Sequence, residues 1–427
     1  MNFTRLMLLL GLMGLSYSFV LDRPAKGNEN NRRVDERRAA QLGIRRVEGR
    51  HLRLYTDLPP GDAVDGLGNV FDAAVDAWTQ CFGVAPERTA RWRMQAFLMQ
   101  DRAKFAALGV LPEANPDFEN GFCQGGELWL VEQPSDYYRR HLLLHEGTHG
   151  FMHAFVGDGS VGWYWEGMAE LLGTHRWGDG RLELRQLPPD RDEVPMWGRI
   201  KLVRASKPLP LPAILTLGAG RSLTTDEYAW CWALCKFLDS HPRWGDKFRS
   251  LQNNIAEQGF NERFRATFHD DWGDLLFEWQ AFVAALDYGY DTERMTVIHQ
   301  EAATTKSVEK LRIAADRGWQ STGWLLEGGK TYAISAAGRY EIARDGEPWH
   351  CEPGGVTLDY RDGHPLGMLL GVLRPVDTER TADFSRPIAI GLRATVTPEF
   401  DAILYLRVND WPARLSDNVG TLEASVD

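Results

Sequence analysis

The stretch HLLLHEGTHGFMHAFVGDGSVGWYWEGMAE, residues 141–170, decides how the rest of this 427-residue chain is read. It contains His145-Glu146-Gly147-Thr148-His149, an HExxH pattern. On a helix, residues four apart share a face, so both imidazoles can reach one ion. Glu146, one position round, is placed to hold and deprotonate a water on that ion. Sixteen residues lie between His149 and Glu166. That is enough chain for a turn and a returning helix, Trp-Glu-Gly-Met-Ala-Glu, which brings Glu166 back as a third ligand. Two imidazoles and one carboxylate leave a fourth tetrahedral position open to water, the arrangement of a catalytic rather than a structural zinc site. Glu170, four residues after Glu166 and on the same helical face, is placed to accept the second ring N–H of a histidine ligand.

The helix has its own boundaries. Ser135 can cap its first amides, Asp136 suits the positive end, and Gly157 offers a left-handed stop. His141, His145, His149 and His153 recur every four residues. At 3.6 residues per turn that column drifts by about 40° per step, so one ion cannot use all four. His141 and His153 are therefore read as packing or supporting groups; beside a further carboxylate they would imply a second metal. Trp163, Tyr164 and Trp165 read as core anchors of the returning helix, and Gly167 as a point of close approach between the two helices.

HExxH followed by W-x-x-E-G-x-A-E resembles the gluzincin branch of zinc peptidases, which includes thermolysin-like and aminopeptidase-like enzymes. The resemblance implies His145, His149 and Glu166 as zinc ligands and Glu146 as general base, acting on a zinc-bound water. It also implies an oxyanion donor from the helical region that follows, for which Tyr228 is the candidate because it opens a helix. No GxMEN-like element for binding a free amine precedes the motif, which tilts the expectation toward an endopeptidase.

Composition narrows the partners. With 44% hydrophobic and 25% charged residues the chain is globular. A formal charge of −11 and a pI near 5.6 argue against a nucleic acid or an anionic membrane as partner. Residues 1–18 carry one early Arg5, an apolar run from Leu6 to Leu15 and small residues at Ser16 and Ser18, the pattern of an export signal cut before Phe19. The run is short for a stable membrane span. The expected location is thus periplasmic or extracellular. Of five cysteines, Cys81 and Cys123 make the more plausible bridge, while Cys231 and Cys235 are badly spaced for one; mostly buried free thiols are an equal alternative.

Along the chain, residues 19–50 read as a mobile linker, with a short helix around Arg33–Leu42. A strand at His51–Tyr55, a helix from Asp62 to Phe82, a strand at Trp92–Leu98, a helix at Asp101–Leu108 and a hairpin over Gly121–Val131 come next. Zincins place such a prelude before their metal-binding helix. After the motif, Tyr228–Leu238 forms an apolar helix capped by Asp226 or Thr225. Helical segments continue from Phe248 to Leu286. The expected class is therefore an α+β zincin-like metallopeptidase domain over residues 51–290, with a small sheet and a helical lower lobe, and a linker over 291–307.

From 308 to 427 the pattern changes to short alternating runs separated by Gly, Pro and Asp clusters: Lys310–Ala314, Thr331–Ser335, Arg339–Ile342, Met368–Leu373, Ile388–Ala394 and Ile403–Val408. That is the signature of a β-sandwich. Gly318–Gly323, Ser335–Tyr340, Pro365–Gly371 and the ending Leu404–Asp410 with Ser416–Gly420 resemble the calcium-dependent galactose-binding lectins of the PA-IL type. The resemblance implies Asp410, Asp417 and Asn418 as calcium ligands, with a backbone carbonyl at most from Arg414. Oxygen donors gathered in one loop suit a hard cation on chemical grounds as well. The lectins' sugar-contacting His and Gln segment is not evident between Trp349 and Gly363, though Trp411 or Trp349 could stack on a sugar ring.

Two functions of different classes follow. One is an exported zinc metallohydrolase, a peptidase acting on peptide or protein and targeted by its C-terminal domain to a glycan. The other is a non-catalytic carbohydrate- or envelope-binding protein whose zinc is structural.

Overall fold

The computed structural model describes residues 31–157, 161–189, 198–219, 222–255, 259–304 and 310–427. The export signal expected at 1–18 lies outside them. By packing, the chain separates into two units. The first comprises the described residues within Met1–Gln186, Val194–Asp239 and Asp246–Ala266; the second comprises those within Leu187–Glu193, Ser240–Gly245 and Thr267–Asp427. Both helices and sheets are present, so the chain is of mixed α and β class. No helix among the described residues is long and apolar enough to cross a membrane.

The first unit is built on a five-stranded sheet of β1 (Arg45–Glu48), β2 (Leu52–Thr56), β3 (Met94–Met99), β4 (Gly121–Gln124) and β5 (Glu127–Val131), in the order β1-β2-β3-β5-β4. β2, β3 and β5 are parallel; β1 and β4 are antiparallel edges. All six residues of β3 are buried, as an inner parallel strand covered on both faces requires. Gln95 is tolerated there because its amide donates to Glu127 and to the backbone of Arg32. The hairpin of β4 and β5 turns at Gly125, as its glycine pair predicts.

The linker expected through Arg50 is ordered over its described C-terminal part. Asp35 caps a helix at Glu36–Gln41 by accepting from the amides of Arg37 and Arg38. Ala39 and Ile44 are buried, and β1 pairs with β2. Few apolar residues suffice because they lie against the sheet. The helix expected from Asp62 to Phe82 is two, Asp62–Asp65 and Leu67–Cys81, separated at Gly66.

The histidine helix (Asp136–Phe155) packs with Leu67–Cys81 through an aromatic cluster. Phe151 lies 5.7 Å from Trp78 and 5.6 Å, edge to face, from Trp92. The return helix (Gly162–Gly173) follows, and then a hairpin of His175–Gly178 with Arg181–Leu184 that the sequence reading did not contain. The apolar helix is found at Thr225–Ser240, buried continuously from Ala229 to Asp239. Its cap is Thr224 rather than Asp226 or Thr225. The Thr224 hydroxyl accepts from the Glu227 amide and the Glu227 carboxylate accepts from the Thr224 amide, a reciprocal capping box.

The second unit holds a five-stranded and a four-stranded sheet. The first runs in the order Ile388–Ala389, Leu369–Pro375, Ala402–Val408, Gln320–Leu326 and Ala303–Thr304. The second runs Arg393–Val396, Tyr332–Ala337, Thr421–Val426 and Leu311–Ala314. Trp324, Leu326, Leu369, Leu404 and Leu406 from one sheet meet Ile313, Ile334, Leu422 and Ala424 from the other in a single core. Two sheets around one core make a β-sandwich. The run expected as one strand at Ile388–Ala394 divides near Gly391, whose φ of 57° suits glycine, and its halves join different sheets. On the outer face of the five-stranded sheet lies the helix Trp272–Ala285, where Phe277 and Ala281 pack on Leu370, Val372 and Tyr405. This helix therefore belongs with the sandwich and not with the helices that precede it.

Candidate metal centre

The histidine helix begins as its residues dictate. The Ser135 hydroxyl accepts from the Tyr138 amide at 3.3 Å and Asp136 occupies the first turn; Gly157, at φ 130°, follows its end. Helical spacing then brings the two imidazoles to one face. His145 Nε2 and His149 Nε2 are 3.2 Å apart. Glu166 Oε2, carried back by the return helix, lies 3.3 Å from the first and 3.2 Å from the second. A tetrahedron with metal–ligand distances of about 2.0–2.1 Å has edges of about 3.3 Å. Three donor atoms at that mutual separation could hold an ion such as zinc with one position left over.

The electrostatics agree with a place for positive charge. Burial opposes a charge on His145, yet its hydrogen bonds to Glu166 and Glu170 hold it up at about 10. Burial opposes ionisation of Glu166 too, but the charge of His149 and the hydrogen bond to His145 bring it down to about 2. Glu146 is different. It is buried, and that burial raises its carboxyl above the ordinary range. Edge strand β4 faces it through Gly121, where a methyl group would come within 2.4 Å of Glu146 Oε1 and 2.8 Å of Leu142 Cδ1. Glycine at 121 is what leaves the Glu146 carboxylate its room.

Glu170 does what its spacing predicts. His145 Nδ1 lies 3.2 Å from Glu170 Oε1, so the carboxylate orients that ring. A residue absent from the sequence reading holds Glu170 in turn: Arg199 donates Nε at 2.5 Å and Nη2 at 2.7 Å to its two oxygens. His141 reaches the same carboxylate at 3.5 Å and gives its other nitrogen to the Gly173 carbonyl at 2.9 Å. In the group His141, His145 and Glu170 the carboxylate is thus already paired with the Arg199 guanidinium, a positive charge that disfavours a second ion.

Two further expectations change. Gly167 makes its close approach to the helix Thr225–Ser240, against Cys231 and Cys235, and not to the histidine helix. Trp163 and Tyr164 are buried anchors, but Trp165 is half-buried and its ring stacks on His149 at 5.5 Å and 11°. Tyr228 is near the centre: its ring lies 6.2 Å from that of His145, and the charge of Glu166, with burial, pushes its hydroxyl up. The bridge between Cys81 and Cys123 does not occur, and none of the five cysteines forms a disulfide.

The C-terminal loop forms a second candidate. Asn409, Asp410 and Asn418 are buried, and Asp417 half-buried. Asn409 donates its amide to the carbonyls of Arg361, His364 and Pro365; Asn418 donates to Ala315 at 3.0 Å. With both amide nitrogens committed, the oxygens are left over. Asn409 Oδ1, Asp410 Oδ2, Asp417 Oδ1 and Asn418 Oδ1 are enclosed and accept no hydrogen bond. Burial raises Asp410 to about 6. Orphaned buried oxygens of this kind are costly unless a cation gathers them, and all-oxygen donors suit calcium. The Arg414 carbonyl accepts from the Asp417 amide at 3.2 Å. Of the two tryptophans named for sugar stacking, Trp411 packs on the core beneath Arg361, whereas Trp349 is 38% exposed.

No protein-family model matches this chain, and no curated protein matches it. Among solved structures the chain is similar to the EclA N-terminal domain, a PllA-like lectin, at 19% identity over 28% of this chain and 94% of that one, with a TM-score of 0.22.

Proposed function

We propose that the chain is an exported zinc-dependent peptidase of the gluzincin kind, favouring internal bonds, with a lectin-like C-terminal domain that binds calcium and directs it to a glycan. The reading rests above all on the 3.2–3.3 Å triangle of His145, His149 and Glu166 beside the buried carboxylate of Glu146. Zinc, when bound, supplies a Lewis acid for the scissile carbonyl and makes water more acidic. His145, His149 and Glu166 would hold it. Glu146 takes a proton from the attacking water and returns it to the leaving amine, a task suited by a carboxyl that burial raises above its ordinary range. Tyr228 donates a hydrogen bond from its hydroxyl to the developing oxyanion and keeps its proton. Asp410, Asp417 and Asn418 would hold calcium.

Metal content of the purified chain, with unbiased peptide-library digestion, tests the proposal. Stoichiometric zinc and cleavage in the native chain, both lost in His149→Ala, are expected; cleavage that survives loss of the metal would defeat it. Gly121→Ala is expected to keep its zinc while kcat falls, approaching the about 10²-fold that an ångström of misplacement costs. For the C-terminal domain, calcium at a hundredfold excess over its Kd is expected to add about 2.7 kcal/mol of stability. Differential scanning calorimetry of native chain and Asp417→Ala checks this, the variant showing no calcium-dependent shift.

A further inference from the structure

The two histidines of the triangle are supported in unlike ways. When an imidazole binds a metal through Nε2, its Nδ1 carries the proton, and that N–H ordinarily finds an acceptor which fixes the ring. His145 has one: Glu170, itself gripped by Arg199. His149 has none. Its Nδ1 is enclosed and without a hydrogen-bond partner, although the residue is 9% exposed and its Nε2 points at His145 and Glu166. An unsatisfied buried N–H costs on the order of 1–3 kcal/mol. What lies against the ring instead is the indole of Trp165, nearly parallel to it at 5.5 Å and 11°. Trp165 immediately precedes Glu166, so the turn of helix that brings in the third ligand also brings the stacking plane.

We infer that Trp165 is the positioning residue for His149, its flat face setting the ring orientation that a hydrogen bond sets for His145. The inference rests on the proposed metal centre and adds an asymmetry to it. The first histidine is held by a carboxylate that strengthens it as a donor, the second by an aromatic face that fixes its plane and leaves its donor strength alone. Metal affinity therefore depends on a planar ring at position 165. An apolar side chain of similar bulk does not replace it.

The test compares Trp165→Phe, which keeps a stacking ring, with Trp165→Leu, which fills space without one. Each full-length chain is stripped of metal, its zinc dissociation constant is measured by competition with a chromophoric chelator, and its cobalt(II) absorption spectrum is recorded. Supporting partners of metal ligands are worth about 10–100-fold in affinity. Trp165→Leu is expected to lose zinc affinity within that range and to shift the cobalt bands, with Trp165→Phe within about threefold of the native chain on the same scale. The thermal midpoints of the stripped chains should agree, which separates positioning from a loss of packing. Should the leucine chain not fold, Trp165→Met takes its place as a flexible apolar filler. Native zinc affinity and cobalt bands in the leucine or methionine chain overturn this inference and leave the proposed function standing. A native chain that binds neither metal overturns both.

Discussion

On the proposed function, Glu146→Gln is expected to retain a full equivalent of zinc and to lose turnover by about 10²–10⁴-fold, the usual worth of a positioned general acid–base group. The amide is isosteric with the carboxylate, so the space left by Gly121 still accepts it. Ligation should not change, because His145, His149 and Glu166 make the triangle without Glu146. What disappears is the basic oxygen. A peptide-library digestion run beside zinc analysis reads both quantities in one preparation, and full activity in this variant would remove Glu146 from the mechanism.

The second large effect is expected in the other unit, the one that carries the sandwich. Glu278, on the helix Trp272–Ala285, is 2% exposed and accepts three hydrogen bonds. His241 Nε2 donates at 2.6 Å, His299 Nε2 at 2.7 Å and Trp244 Nε1 at 3.1 Å. His241 Nδ1 accepts from the Arg243 amide, and His299 Nδ1 is within reach of Arg374, so each ring presents its Nε2–H to the carboxylate. Burial resists the charge, but the two histidine hydrogen bonds hold the Glu278 carboxyl below its ordinary 4.5. Glutamine would turn an N–H toward one of those donors. A partner removed from a buried charged network costs about 3–5 kcal/mol, and Glu278→Gln is expected near the lower end of that range.

The pH sign follows from linkage. A carboxyl whose folded pKa lies below its unfolded value contributes stability that is complete above about 4.5 and fades as pH falls through the folded pKa. The gap between native and Glu278→Gln chains should therefore be widest near neutrality and close in acid, below the ordinary carboxylate range. Denaturation followed at pH 7 and at a series of pH values below 4.5 checks it; a gap that grows in acid would contradict the assignment.

The metal triangle was legible in the sequence because it depends on local periodicity: histidines four positions apart and a short return to Glu166. Its outer support was legible only in part. Glu170 lies on the same helical face as Glu166 and could be named, but Arg199 reaches it from twenty-nine positions away with no pattern to announce it. From the sequence Trp165 reads as core along with Trp163 and Tyr164, because adjacent aromatics give no sign of which one turns toward a histidine. The strand Gln320–Leu326 escaped for a related reason. Its polar start, Gln320-Ser321-Thr322, does not alternate, yet it is buried with its side chains bonded to backbone, Gln320 to Ala314 and Thr322 to Leu404. Helix Trp272–Ala285 was seen as a helix, but its apolar face does not say which unit covers it.

The asparagines of the C-terminal loop carry a consequence for ageing. Each spends its nitrogen on main-chain carbonyls, and no aspartate can imitate that. Spontaneous hydrolysis of either side-chain amide would set a negative oxygen against the carbonyl it once donated to, prising the loop from Arg361 or Ala315. If the loop holds calcium as proposed, a stored sample should lose that binding as its mass rises by one unit per event, without any cut in the chain.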